Sequence, residues 1–167
     1  NAALPTMLTN DVSVTEGTAL ATIDAIVTVS LNAPSGRQVT VAYATANGTA
    51  VAPGDYTPVS GTLFFPPNLA TRTVAVPIVN DNIDEADETF QLVLSNPFNA
   101  VLLDGSADGT ITDNDAVPAL SVNDCAVVEG NAGSTPCTFT ATLSNPSSFA
   151  VSASFATADG TATTGGG

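Results

Sequence analysis

The chain has no histidine, no lysine and no tryptophan. Its only basic residues are Arg37 and Arg72, set against 16 Asp and Glu, so the formal net charge is −14. Each shortage excludes a class of function. Nucleic-acid backbones are held by Lys and Arg that displace counterions, and a polyanion with two arginines has no such means. Without imidazole or ammonium groups the common general bases, nitrogen metal ligands and Schiff-base nucleophiles are missing, which removes triad chemistry. Glu85 and Glu88 are formal candidates for a glycosidase carboxylate pair. With two tyrosines and no tryptophan there is no sugar-stacking platform beside them, and a non-enzymatic protein is expected. Long apolar runs are also missing. The apolar residues come in pieces such as Val101-Leu102-Leu103 and Leu63-Phe64-Phe65, far short of the roughly 20 residues of a membrane helix, so no membrane insertion is expected. The start, Asn1-Ala2-Ala3-Leu4-Pro5, has neither Met nor a charged region followed by an apolar one, as in a mature or excised segment.

What the chain does contain is a repeat. Asn10-Asp11-Val12-Ser13-Val14-Thr15-Glu16-Gly17 returns as Asn123-Asp124-Cys125-Ala126-Val127-Val128-Glu129-Gly130, offset by 113 residues. Val39-Thr40-Val41-Ala42-Tyr43-Ala44-Thr45-Ala46-Asn47-Gly48-Thr49-Ala50 returns as Val151-Ser152-Ala153-Ser154-Phe155-Ala156-Thr157-Ala158-Asp159-Gly160-Thr161-Ala162, offset by 112. Such a period is too long for a solenoid unit and suits a sandwich domain. The organisation expected is a complete repeat over 1–115, a linker at 116–118 and a partial second repeat over 119–167.

In the first repeat the apolar residues alternate: Ile23, Ala25, Val27, Val29 and Leu31, then Val39, Val41 and Tyr43, Val74, Val76 and Ile78, Phe90, Leu92 and Leu94. Period two means strands with one buried face. Turn-formers separate them at Asn32-Ala33-Pro34-Ser35-Gly36, Ala52-Pro53-Gly54-Asp55, Pro66-Pro67-Asn68, Asn96-Pro97 and Asp104-Gly105. Strands are predicted at roughly 10–16, 22–31, 38–45, 61–65, 70–79, 88–95 and 106–112. The fold class is all-β, an immunoglobulin-like antiparallel Greek-key sandwich.

Nine of the 16 acidic residues fall between Asp81 and Asp115, seven of them in the run Asp81-Asn82-Ile83-Asp84-Glu85-Ala86-Asp87-Glu88 and in Asp113-Asn114-Asp115. Both runs sit at strand junctions that reach one end of the predicted sandwich, where Glu16 and Asn47 also end strands. Carboxylates gathered without cations among them repel unless an ion is present. Oxygen ligands on loops suit Ca²⁺, whereas Zn²⁺ and copper favour nitrogen and sulfur. The plainer alternative is an acidic loop that keeps the protein soluble. The run is not an EF-hand, because Ala86 stands where that loop needs Gly. No glycine-rich calcium β-roll repeat is present either.

Taken in order, Val14-Thr15-Glu16-Gly17, Ala44-Thr45-Ala46-Asn47-Gly48-Thr49-Ala50, Gly54-Asp55-Tyr56-Thr57-Pro58-Val59-Ser60-Gly61-Thr62-Leu63, Asp81-Asn82-Ile83-Asp84-Glu85-Ala86-Asp87-Glu88-Thr89-Phe90, Leu94-Ser95-Asn96-Pro97 and Gly109-Thr110-Ile111-Thr112-Asp113-Asn114-Asp115 resemble the Calx-beta domain. The resemblance spans 8–115 and part of 119–167. It implies an immunoglobulin-like sandwich with Ca²⁺ at one end, in a family that occurs in sodium/calcium exchangers and in tandem-repeat bacterial surface proteins. Carried over residue by residue, it implies a metal site of Glu16, Asn47, Asp81, Glu85, Glu88, Asp113 and Asp115. Asn47, Asn80 and Asn114 stand where the fullest form of the site has Asp, and each lost charge weakens binding.

Asp55 is expected to bond nearby backbone amides and Tyr56 to pack at the sandwich edge. The sequon Asn47-Gly48-Thr49 coincides with a candidate ligand and is taken as chance. Cys125 and Cys137 flank the turn between the first two strands of the second copy and are expected to form a disulfide, in keeping with an oxidising compartment. The resulting expectation is a non-enzymatic Ca²⁺-binding repeat module of an extracellular or cell-surface protein, serving as spacer, adhesion or matrix element. Its partners are other repeats of the same or a neighbouring chain. The alternative is a fibre subunit, a homopolymer joined head to tail through the second copy. There three strands are expected, with Phe139, Ala141, Leu143, Val151, Ala153 and Phe155 on an apolar face ordered only by contacts beyond this chain or beyond Gly167.

Overall fold

The computed structural model describes residues 3–17 and 23–163. Alternation of apolar and polar side chains builds two sheets whose apolar faces meet. The first contains β1 (Thr6–Thr9), β3 (Ile23–Leu31), β6 (Thr71–Ile78) and β8 (Val101–Leu102), in the order β6-β3-β1-β8. The second contains β2 (Val12–Thr15), β4 (Val39–Asn47), β5 (Ser60–Phe65), β7 (Glu88–Phe98) and β9 (Ser106–Thr112), in the order β2-β9-β7-β4-β5. Ala25, Val27, Val29 and Leu31 of β3 are buried, while Asp24 and Ile26 are exposed and Thr28 and Ser30 half-buried, the signature of one packed face. Val27, Val74, Val76 and Ile78 from one sheet meet Phe90, Leu92, Ala107 and Ile111 from the other in one half of the core. Met7, Val29 and Leu31 meet Val39, Val41, Phe65 and Leu94 in the other half. This is the all-β immunoglobulin-like sandwich, antiparallel except that β2 runs parallel to β9 and β1 parallel to β8.

Three details differ from the sequence expectation. The strand foreseen at 10–16 is β2 alone, and an unforeseen strand, β1, precedes it in the other sheet, because the chain crosses from one sheet to the other at Asn10-Asp11. Asn10 Oδ1 accepts from Thr28 N of the first sheet at 2.8 Å and Asp11 Oδ1 accepts from Asp108 N of the second at 2.9 Å, so each side chain satisfies the sheet it faces. Asn96-Pro97 does not end β7. Asn96 takes a positive φ of 51°, and the register against β4 shifts between Thr40 and Ala42, so the strand absorbs the pair as a bulge. Tyr56 lies in the core, 1% exposed, its ring stacked on Phe90 at 4.9 Å, and not at the edge.

Among the described residues the second copy forms only an antiparallel pair, β10 (Leu120–Val122) and β11 (Ala141–Leu143). The third expected strand, beginning at Val151, is not formed. Its counterpart β4 is laddered between β5 and β7, and 119–163 holds no equivalent of either. Phe139, Val151 and Phe155 are accordingly exposed, Phe155 by 98%. Cys125 and Cys137 are bridged, with Cα atoms 5.9 Å apart.

Candidate metal centre

Parallel pairing of β2 with β9 assembles the acidic end. Their register sets Thr15 against Thr112, and Glu16 N donates to Thr112 O at 3.0 Å. The next residues on both strands, Glu16 and Asp113, therefore emerge side by side at the same end. β7 begins there too, since Glu88 pairs with Ile111 of β9, which hangs the 79–87 loop over the two strand ends. Side-chain bonds pin that loop. Gly17 N donates to Asn80 Oδ1 at 3.0 Å, Ile83 N to Asp81 Oδ1 at 2.8 Å and Asp113 N to Asp87 Oδ1 at 3.1 Å.

Glu16, Asp113 and Asp115 each bring one carboxylate oxygen into a group whose atoms lie within 4.8 Å of one another. Glu16 is buried at 7% exposure. Its carboxyl is pushed up to about 8, first by burial, then by its hydrogen bond with Asp113 and by repulsion from Asp113, Asp81 and Asp115. Asp115 is also raised, by desolvation and then by Asp113, Asp81 and Asp84, and its Oδ2 is shielded from solvent with no hydrogen-bond partner. A shielded carboxylate oxygen without a donor costs free energy that a cation would recover. Three converging carboxylates, one of which also carries an orphaned oxygen, match the hard-cation, oxygen-ligand chemistry of Ca²⁺, so the residues fit the metal.

The other candidates divide into two sets. Asp81 faces this cluster closely enough to raise Glu16, Glu85 and Asp115, and Glu85, raised first by its own burial, feels Asp81, Asp55, Asp113 and Asp115. Glu88 belongs to a neighbouring group: it is pushed up to about 7 by burial, by a hydrogen bond with Asp55 and by repulsion from Asp55 and Glu85. Asn47 Oδ1 accepts from Tyr56 Oη at 2.6 Å and from Ala52 N at 3.1 Å, which makes it a brace of the 47–55 loop in this structure. Asp55 accepts from Val51 N at 2.6 Å, the backbone role expected of it. Its electrostatic tie to Glu88 and Glu85 was not evident from sequence; the signal was its place in a loop that follows β4 to the same end. Asp84 was likewise missed as a distinct residue. It is 7% exposed, lies close enough to the cluster to raise Asp115, and accepts a hydrogen bond from Ser147 of the second copy.

A two-sheet sandwich that gathers loop carboxylates at one end defines a class of oxygen-donor, cation-binding β domain. Within it the chain belongs to the Calx-beta domain family, whose model matches residues 7–115. It is 40% identical over 76 residues to sodium/calcium exchanger 1 of Mus musculus, which covers 46% of this chain and 8% of the exchanger. For the Bos taurus exchanger the values are 40% over 71 residues, 42% and 7%. The chain thus spans less than a tenth of the length of these curated relatives. Among solved structures, the apo-form Calx CBD1 domain matches with a TM-score of 0.57 at 26% identity, covering 68% of this chain and all of that one. The calcium binding domain CBD12 of CALX1.1 matches at 0.59 and 25% identity, covering 71% of this chain and 50% of that one. Among the described residues no helix is long and apolar enough to cross a membrane.

Proposed function

We propose that this chain is a Ca²⁺-binding, non-catalytic repeat module of an extracellular or cell-surface protein, acting as a spacer or adhesion element between other repeats. The observation that carries it is the convergence of Glu16, Asp113 and Asp115, together with the orphaned Oδ2 on Asp115. Asp81 and Glu85 complete the negative field, and a solved neighbour bears the description calcium binding domain. The extracellular setting is supported by the Cys125–Cys137 disulfide, a bond that persists in oxidising compartments. A fibre subunit is the second reading, favoured by the exposed Phe139, Val151 and Phe155; sedimentation showing a monomer at all concentrations counts against it.

The test is a calorimetric Ca²⁺ titration of the 167-residue chain, with a melting curve taken with and without chelator. Binding to the folded state alone stabilises it by about 2.7 kcal/mol at a hundredfold excess over the dissociation constant. Asp115→Asn and Glu16→Gln are each expected to weaken binding at least tenfold. No heat of binding and an unchanged melting temperature in the unsubstituted chain would overturn the reading.

A further inference from the structure

Both copies carry the same turn in the same frame. By the offsets of 113 and 112 residues, Ala3-Leu4-Pro5-Thr6 corresponds to Ala116-Val117-Pro118-Ala119, and the turn starting at Asn32 to the turn starting at Ser144. In the first copy Thr6 N donates to Asn32 Oδ1 at 2.9 Å, Asn32 N to Thr6 O at 2.9 Å and Arg37 N to Ser35 Oγ at 3.0 Å. In the second, Ala119 N donates to Ser144 Oγ at 2.9 Å, Ser144 N to Ala119 O at 2.9 Å and Phe149 N to Ser147 Oγ at 3.1 Å. These three bonds correspond one to one; in the first copy Ser35 O also accepts from Asn68 N at 2.8 Å, and the remaining difference is occupancy.

The second-copy turn holds Asp84. Asp84 N donates to Pro146 O at 3.2 Å, Ser148 N donates back to Asp84 O at 3.0 Å, and Ser147 Oγ donates to Asp84 Oδ2 at 2.7 Å. This parallel bridge plus a charge-assisted bond buries the Asp84 carboxylate. In the first copy Pro34 and Gly36 are exposed and Ser35 is half-buried. Among the described residues neither Pro34 O nor Gly36 N has a hydrogen-bond partner, and a Cβ at Gly36 would meet nothing within 4 Å. The turn lines a cleft of about 760 Å³ together with Ala3, Leu4, Pro5 and Arg37. Arg37, one of two cations in the chain, stands where the second copy has Phe149 and suits an acidic occupant.

We propose that the Pro34-Ser35-Gly36 turn is a docking site for the acidic loop of another Calx-beta repeat joined through Ala3-Leu4-Pro5, seated as Asp84 sits on Pro146-Ser147-Ser148. Pro34 O and Gly36 N exchange backbone bonds with the incoming Asp, Ser35 Oγ donates to its carboxylate, and Arg37 faces the carboxylates around it. The inference rests on the internal correspondence and is independent of the calcium reading.

The test uses a polypeptide in which residues 1–115 are placed ahead of Ala3 of the chain, so that Asp115 runs into Ala3-Leu4-Pro5 as it natively runs into Ala116-Val117-Pro118. Hydrogen exchange at the Gly36 amide is expected to slow at least tenfold relative to the 167-residue chain, and Arg37→Glu, but not Arg72→Glu, to restore the faster rate. Mild oxidation is expected to cross-link Asp84→Cys of the added repeat to Ser35→Cys of the next, as it cross-links Asp84→Cys to Ser147→Cys at the existing junction. Unchanged Gly36 exchange overturns the proposal whatever the cysteine variants do. So does protection that already appears in the 167-residue chain and grows with its concentration, which would assign the turn to self-association.

Discussion

Glu16 is where burial and charge oppose each other most directly, because a carboxyl that is 7% exposed shares its pocket with Asp113, Asp81 and Asp115. Its value of about 8 against an ordinary 4.5 means that the folded state holds this proton more tightly than the unfolded one. The linkage sign follows: the contribution to stability is fully present below about pH 4.5 and is lost as pH rises through about 8. Glu88, at about 7, adds a loss of the same sign over a lower window. In chelator the melting temperature is therefore expected to fall between about pH 5 and pH 9, and Glu16→Gln to flatten the upper part of that fall. Ca²⁺ requires the ionised carboxylate, so its affinity should rise over the same window with release of protons. Titrations in two buffers of different ionisation enthalpy measure that release; a pH-independent affinity with no proton release would exclude Glu16 from the site.

At the scale of elements, the strands that bury one face were legible in the sequence because alternation is a local signal: Ala25, Val27, Val29, Val74, Val76, Phe90 and Leu92 are all buried as their parity required. The crossing at Asn10-Asp11 was not legible, since it depends on which sheet satisfies each side chain. Nor was the bulge at Asn96, which needs the positive φ that only the register reveals. The same limit applies to the site. Carboxylates clustered in sequence are visible, and the family resemblance already set Glu16 with Asp113 and Asp115, which the parallel β2–β9 register explains; that Glu88 joins Asp55 instead follows from the loop after β4. The strand ladder makes its own prediction at Gly109, which pairs with Phe90 across β7 and β9. A Cβ there would lie 2.3 Å from the Phe90 ring, and that ring is fully buried against Tyr56. Overpacking of this kind costs about 1–3 kcal/mol. Gly109→Ala is expected to lower the denaturation midpoint accordingly, whereas Gly36→Ala, with open space around it, should leave it unchanged.

Over the whole molecule, the acidic loop has two faces. One turns Asp81 and Glu85 toward Glu16, Asp113 and Asp115; the other delivers Asp84 to the second copy through Pro146, Ser147 and Ser148. The linker is held from the far side by Asn145 Nδ2, which donates to Ala116 O at 2.7 Å. Hydrogen bonds contribute about 0.5–1.5 kcal/mol each, somewhat more to a charged acceptor, while fixing a backbone residue costs about 1–2 kcal/mol. A junction of a few bonds that must order a linker of three residues is therefore near balance, and removing one charged partner should release it. Asp84→Ala is expected to broaden the distribution of distances between the two copies, read by pulsed dipolar spectroscopy from spin labels at exposed Thr73 and Ser152. An ion held by Asp113 and Asp115, immediately ahead of 116–118, would act on the same balance in the opposite direction and narrow that distribution in the unsubstituted chain. If Asp84→Ala leaves it as narrow as before, the junction is held by something other than the acidic loop.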